Sequence, residues 1–388
     1  MRLGVSYFLL FAVYGIVNTY LPVLLKNIGY TSGKVGILLG IYETAGLLLP
    51  LFLSTLTDKK GKYGLAMIIL GGIMAAGLLP FAYQLPFYAA AASLCIFALG
   101  IRSLVPITDT FTSKLLGGDK KNYGKIRAIG SAGFVFINLC LQFTSIINSE
   151  NTLSIILGIC LTASLYIISL FFIPNIFVPV YAESQNSKQN IIKLFSFKEK
   201  NSEESFPPSF WFGLFIMAFG FLGLTPSQKF FSLYAKEYLH LNSYAGLWAI
   251  SALAEIPVMF LSGKLIGKFG AERLIPIALV SISIRNIIYA AFPSIGGAVA
   301  AQLMHSLNFG LFHPVGIVFC ASRVPKKAAS LGMTLYSVAA SGLSYITGSI
   351  LGGYIIQLLG YIPMFIIFSI FPVIGTLLYF ILGKKILR

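Results

Sequence analysis

The fold class this sequence predicts is an all-α protein that crosses a membrane many times, and three observations predict it. Of 388 residues, 57% are hydrophobic and only 10% charged, with a mean hydropathy of +0.86. The apolar residues gather into twelve runs, each close to the about 20 residues that a helix needs to cross the hydrocarbon core. These runs do not alternate polar and apolar positions, which excludes the strands of a closed barrel. Only helices and closed barrels satisfy their own backbone groups in lipid.

The first run, 3–25, is too long for the apolar core of a signal peptide and lacks a small-x-small cleavage site. It also contains Tyr14, Asn18 and Pro22, so it reads as a retained span. Runs 34–56, 64–83, 87–113, 127–147 and 152–173 complete a first set of six. The longest polar stretch follows at 175–208, with Glu183, Lys188, Lys193, Lys198, Glu203 and the pair Pro207-Pro208. It reads as a cytoplasmic linker, within which Gln189 to Phe197 could form a short amphipathic helix. Runs 209–233, 243–263, 274–292, 295–320, 329–356 and 362–383 form the second six. The expected organisation is therefore a six-helix half at 1–174, a linker at 175–208 and a six-helix half at 209–388.

A net charge of +16 would suit a nucleic-acid binder, but its distribution argues otherwise. With the N-terminus in the cytoplasm, 22 of the 28 basic residues fall on cytoplasmic segments. Lys26, Lys34, Lys229 and Lys236 fall on the opposite side, and Arg102 and Arg285 within the membrane. That asymmetry is the positive-inside rule. It places both termini in the cytoplasm; a bacterial inner membrane and a monomeric state are the expected setting, and nucleic acid is not an expected partner. Cys95, Cys140, Cys160 and Cys320 lie on separate runs with no disulfide framework or metal-ligand spacing. There is no Ser-His-Asp arrangement, HExxH or phosphate loop, so neither an enzyme nor an ATP-driven pump is expected, and no cofactor is called for.

Seven ionisable side chains interrupt the apolar runs: Glu43, Arg102, Asp109, Glu255, Arg285, His305 and His313. A charge at the bilayer centre costs about 2.5–3.5 kcal/mol on insertion scales, so such residues usually mark a pathway, a proton relay or a ligand. Arg102 lies seven residues before Asp109 and shares its helix face. It either neutralises Asp109 or receives an anionic group of a substrate. Gln302, His305, Phe309 and His313 fall within an arc of about 80° on one helix, a stripe that should face a cavity. Glu43 is either a second protonation site or the partner of Arg102 or Arg127. Asn18, Tyr14, Gln228, Ser131, Asn138, Thr334, Tyr336 and Ser337 are candidate hydrogen-bonders of a cavity or of helix packing. Asp58 reads as a tether between helix ends.

The two halves carry related turns. Phe52-Leu53-Ser54 runs into Asp58-Lys59-Lys60-Gly61-Lys62 after the second span, and Phe260-Leu261-Ser262-Gly263 into Gly267-Lys268-Phe269-Gly270 after the eighth. The first turn resembles the end of the facilitator loop motif G-x-L-x-D-R-x-G-R, without its leading glycine. Pro106-Ile107-Thr108-Asp109, Tyr123-Gly124-Lys125-Ile126-Arg127 and Gly130-Ser131-Ala132-Gly133-Phe134 resemble a longer pattern, P-x-x-D then Y-G-K/R-x-R-x-x-G-S-x-x-F. That pattern belongs to the phenylpropionate-permease-like (MFS-1-like) group of the major facilitator superfamily, related to the lactose permease and the oligosaccharide:proton symporters. Ala254-Glu255, Arg285, Gln302, His305 and His313 agree with it, and the resemblance covers nearly the whole chain.

The resemblance implies the major facilitator fold, twelve transmembrane helices in two six-helix halves, with the solute bound at mid-membrane. It implies that Asp109 and Arg127 clamp the solute while Phe134 stacks on its apolar face, and that Glu255, Arg285 and His305 couple transport to protons. Physically, a carboxylate accepts from hydroxyls and a guanidinium donates in a plane; a gate pair at the end of the spans is the alternative. Asp109 stands where the lactose permease has Glu, Phe134 where it has Trp, and Asn308 where it has a further acid, so galactoside specificity does not carry over. The expected substrate-binding set is Asp109, Arg127, Phe134, Arg102, His305, His313, Gln302 and Asn18; the expected proton-coupling set is Glu255, Arg285, His305 and Glu43. The expected function is proton-coupled uptake of a small organic solute such as a sugar, nucleoside or aromatic acid. Uniport or proton-antiport export by the same fold is the alternative.

Overall fold

The computed structural model describes residues 2–117, 119–144, 146–174, 176–180, 206–324 and 329–386, and among them there are helices and turns but no strand. In chain order the long helices are α1 (Arg2–Asn27), α2 (Ser32–Lys60), α3 (Tyr63–Leu78), α4 (Phe87–Leu115), α5 (Lys120–Phe143) and α6 (Thr152–Phe171). They continue as α7 (Pro208–Tyr238), α8 (Ala245–Phe269), α9 (Ala271–Ala291), α10 (Ile295–Ala321), α11 (Leu331–Leu359) and α12 (Tyr361–Ile386). Among the described residues eleven helices are long and apolar enough to cross a membrane. The 29-residue α2 stands beside them, where the run 34–56 predicts a span. The amphipathic helix expected over Gln189 to Phe197 lies outside the described residues.

Helix ends follow local chemistry. Asn151 caps α6 by accepting from the amides of Leu153 and Ser154 at 2.9 and 3.2 Å. Ser294 caps α10 by accepting from the amide of Gly297. Gly61 ends α2 in the left-handed conformation (φ 65°), open to a residue without a Cβ, and its amide closes on the Thr57 carbonyl.

Three helices widen into π turns, and in α11 the turn is Tyr336–Gly342. In α7 the turns Pro226–Phe230 and Tyr234–Tyr238 are π-helical, and in α10 so is Ser306–Leu311. Proline supplies no amide to the ladder, and here Pro226 opens one π turn and Pro314 follows another. A π turn inserts a residue and re-aims the side chains on either side of it. One boundary departs from expectation as a result. The apolar run ends at 233, with Lys229 and Lys236 placed on the side opposite the cytoplasm, but α7 continues to Tyr238 and both lysines are helical.

The chain forms two compact units. The first holds Met1–Ala182, Gln228–Ala252 and Ser349–Leu358. Within it α1 packs on α5 and α6, and α4 on α2 and α3. Small residues permit these approaches: a Cβ on Gly100 of α4 would meet the Met74 backbone of α3 at 2.5–2.6 Å. At the end of the helices away from Arg2, Gly36 of α2 faces Gly353 of α11, and the amide of Gly246 donates to Oε1 of Gln142 at 2.8 Å. Lys236 there reaches Glu150 and Asn27 at 3.0 Å.

The second unit holds Glu183–Ser227, Leu253–Gly348 and Leu359–Arg388. Its core is aromatic and aliphatic, with Phe210, Met217, Phe221, Leu279, Ile282, Phe312 and Phe319 buried. The α9–α12 contact is closed by Ser283 donating to the Ser369 carbonyl at 2.8 Å and by Tyr289 stacking on Phe365.

Candidate functional site

In the first unit the predicted polar residues lie on one face of α4. Arg102 and Asp109 are about one-third exposed, while Ser103, Leu104, Ile107 and Thr108 beside them are buried. The seven-residue spacing therefore does set one face. Asp109 Oδ1 accepts from the hydroxyl of Tyr7 on α1 at 2.6 Å, and Arg127 Nε of α5 lies 3.5 Å from the same oxygen. The Arg127 guanidinium stands 4.1 Å above the ring of Phe11, a cation–π contact. Phe11 stacks on Tyr14, whose hydroxyl donates to the Ile101 carbonyl at 2.7 Å. Asn18 continues that α1 face and is exposed between buried Val17 and Thr19. Phe134 is half-buried on α5. Asn138 is not exposed at all; it accepts from Thr19 at 2.7 Å and donates to the Phe134 carbonyl, which makes it a helix-packing residue.

Glu43 resolves the alternatives for Arg102. Its carboxylate is 3% exposed and lies between two cations: Arg102 Nη2 at 2.9 Å from Oε2 and Lys229 Nζ at 2.5 Å from Oε1. The acid that neutralises Arg102 is thus Glu43 rather than Asp109. Arg102 also stands over the ring of Tyr42, and Gly46 leaves room for its stem. Asp58 tethers helix ends as expected, taking Tyr63 and Lys114.

The second unit builds a different constellation. Arg285 of α9 is 1% exposed and its partners are neutral. Nη2 donates to Oε1 of Gln302 at 2.6 Å, and Nη1 lies 3.0 Å from His305 Nδ1. Arginine offers only donors, so Nδ1 accepts and a neutral His305 carries its proton on Nε2. Nε2 faces Glu255 Oε2 of α8 at 3.4 Å. Glu255 and Arg285, expected as one constellation, are joined through His305. The rings of His305, Phe309 and His313 stack in sequence, with interplanar angles of 12° and 5°. His313 Nδ1 then lies 3.2 Å from the hydroxyl of Tyr336. The predicted stripe is broken at its start: Gln302 and His305 are buried while Phe309 and His313 are half-exposed. The π turn after His305 accounts for this, because α-helical arcs do not carry across an inserted residue.

No cluster of His, Cys, Asp or Glu suited to a metal exists among the described residues. Sequence reasoning missed Tyr7, whose link to Asp109 spans 102 residues and leaves no local signal. It also missed Lys229 as an interior charge; Thr225-Pro226 ahead of it marked the irregular turn that carries it.

Comparison with known proteins agrees with this architecture. The MFS_1 like family matches residues 1–367. A maltose permease of Geobacillus stearothermophilus is 24% identical, over 98% of this chain and 93% of its own length. A probable 3-phenylpropionic acid transporter of Escherichia coli (strain K12) is 23% identical, over 92% of each chain. Among solved structures, the nucleoside transporter NupG superposes with a TM-score of 0.79 at 17% identity, covering 99% of this chain and 98% of its own. A POT family transporter superposes with a TM-score of 0.78 at 12% identity, covering 100% of this chain and 96% of its own. These likenesses give the fold, and the match across residues 1–367 gives the lineage: the chain belongs to the MFS_1 like family and is a multi-pass membrane transporter of the major facilitator type.

Proposed function

We propose that the protein takes up a small organic solute together with protons by alternating access, with six-helix halves 1–174 and 209–388 as the moving bodies and 175–208 as their link. The inner membrane of a bacterium, with both termini in the cytoplasm, is its proposed place. The names of its relatives, for maltose, 3-phenylpropionic acid and nucleosides, set the range of solutes to test.

Solute recognition is assigned to the half-exposed face built from Asp109, Arg127, Arg102, Phe134 and Asn18. There a carboxylate and guanidinium groups offer acceptors and planar donors beside aromatic rings. His313 completes the proposed contacts from the ring ladder, while Gln302, buried against Arg285, is assigned to the coupling network instead.

The observation that carries the coupling proposal is His305 standing between Glu255 and Arg285 with one ring nitrogen toward each. A proton gained by Glu255 removes the negative charge that faces the Nε2 donor and weakens its acceptor. A proton gained by His305 sets two cations side by side and drives Arg285 away. Either event alters how Arg285 is held, and so ties a proton to a movement. Glu43, already bound to two cations, is the second candidate carrier.

The test is uptake by proteoliposomes. A panel of sugars, nucleosides and aromatic acids is first screened for thermal stabilisation of the purified protein. The stabilising solute should then accumulate when the interior is alkaline, and a protonophore should abolish accumulation. Accumulation that ignores both the pH gradient and the protonophore would remove proton coupling.

A further inference from the structure

An exposed groove of about 520 Å³ runs along the second unit between α9, α10 and α12. On α9 it is lined by Arg273, Ile277, Val280 and Ile284, spaced three or four residues apart, so these side chains form one stripe. All four are exposed, as is Phe380 of α12 beside them. Ser281 is buried beneath the stripe and adds no polarity to it. Its hydroxyl donates to the Ala278 carbonyl at 2.7 Å and accepts from Nδ2 of Asn308 at 2.7 Å. The Tyr379 hydroxyl is likewise engaged, donating to the Glu272 carbonyl at 2.7 Å. With one exception the lining is apolar or already satisfied.

The exception is Arg273, which ends the stripe in the first turn of α9. The 21 residues of α9 rise about 31 Å at 1.5 Å each, enough to cross a hydrocarbon core of about 30 Å. Arg273 therefore lies at one membrane surface. Ile284, eleven residues on, lies about 16 Å deeper, near the bilayer centre. Lys264 and Lys268 are exposed on the last turns of α8 just ahead of it. The acid next to Arg273 is Glu272, and Arg323 occupies its carboxylate, so it does not oppose an anion there. A cation at the surface followed by an apolar channel one leaflet deep has the polarity pattern of a phospholipid, phosphate first and acyl chain behind it.

We propose that this groove binds an anionic phospholipid, with its phosphate at Arg273 and one acyl chain along Ile277, Val280 and Ile284. A free phosphate would leave the apolar length unfilled. A zwitterionic lipid gains less from Arg273, because its own ammonium offsets the phosphate. Anionic lipids of the cytoplasmic leaflet attract cations set against the membrane, and the orientation proposed above puts Arg273 on that side. Leu307, on the α10 wall of the groove, belongs to the π turn that follows His305. A bound chain thus packs against the turn next to the proposed coupling network.

The experiment measures lipid binding to the purified, delipidated full chain by native mass spectrometry and thermal stabilisation, with dioleoyl phosphatidylglycerol against dioleoyl phosphatidylcholine. Phosphatidylglycerol should bind tighter by about fivefold or more, the ratio that one cation at an anionic surface supplies. Arg273→Gln should erase that ratio while both lipids still bind, and Arg273→Lys should keep most of it. Val280→Trp, at an exposed position the fold tolerates, should fill the groove and weaken both lipids by about tenfold or more, as losing a few buried methylenes does. Lys62→Gln, which removes an exposed cation from the first unit, should leave the ratio unchanged. Glycerol 3-phosphate, a headgroup phosphate without chains, should not stabilise the protein. The proposal is overturned if the two lipids bind alike, if Arg273→Gln keeps the ratio, if Lys62→Gln lowers it as much, or if Val280→Trp retains lipid as the wild type does. Stabilisation by glycerol 3-phosphate equal to that by phosphatidylglycerol would mean a phosphate site and no lipid site. Binding is read without turnover and without a sided membrane, so the result stands apart from proton coupling, solute and orientation.

Discussion

Arg127 and Arg285 are both arginines set within apolar helices, and they are held in opposite ways. Arg127 is one-third exposed and lies against a carboxylate, Asp109, with a tyrosine hydroxyl on the same oxygen. Arg285 is buried and lies against a neutral histidine and a neutral amide, with its acid one residue removed behind His305. A guanidinium locked to a carboxylate keeps a fixed proton count and presents a directional pattern of donors and acceptors. One held by an imidazole depends on a group whose ordinary pKa lies near 6.5, within reach of physiological pH. The first arrangement suits recognition and the second suits switching, which is why the proposed roles are divided between the two units.

The comparison breaks most readily at the clamp. A hydrogen bond to a charged group contributes about 1.5–3 kcal/mol. Asp109→Asn and Arg127→Lys should therefore each weaken solute binding by about tenfold or more, measured by stabilisation or calorimetry. If both variants bind with unchanged affinity yet cycle slowly, the pair is a gate and recognition lies elsewhere.

A smaller effect is expected at Arg285→Gln. It should leave solute binding within about threefold of wild type while abolishing accumulation against a gradient, since the variant loses a charge-assisted bond worth about 1.5–3 kcal/mol to the coupling network rather than to the solute. A large loss of affinity with coupling intact would reverse the assignment of the two units. The smallest effect belongs to Tyr336→Phe, which deletes the hydroxyl 3.2 Å from His313. Hydrogen bonds between membrane helices average about 0.6 kcal/mol, so thermal stability should fall only slightly. A shift in solute preference with that variant would extend the recognition surface along the ring ladder.

Much of this molecule is legible in its sequence. Hydropathy located the helices because lipid tolerates only satisfied backbones, and the P-x-x-D and Y-G-K-x-R segments picked out Asp109 and Arg127 as a pair. The partners of the charges were less accessible. Glu43 meets Arg102 from 59 residues away and Lys229 from 186, and nothing local tells which helix faces oppose. Lys229 reads as a charge on the side opposite the cytoplasm because its apolar run stops at 233, whereas π turns carry α7 on to Tyr238. A stripe of Gln302, His305, Phe309 and His313 follows from α-helical spacing, but its split into buried His305 and half-exposed His313 follows from a π insertion that periodicity does not encode.

The division between a recognition face and a proton-responsive network is tested most directly at Glu255. In proteoliposomes Glu255→Gln should behave as if permanently protonated: solute exchange across the membrane at near wild-type rate, with no accumulation driven by a pH gradient. The same preparation should bind solute with about wild-type affinity. Accumulation by Glu255→Gln equal to the wild type would contradict the account, remove the His305 network from coupling and move the proton to Asp109 or Glu43.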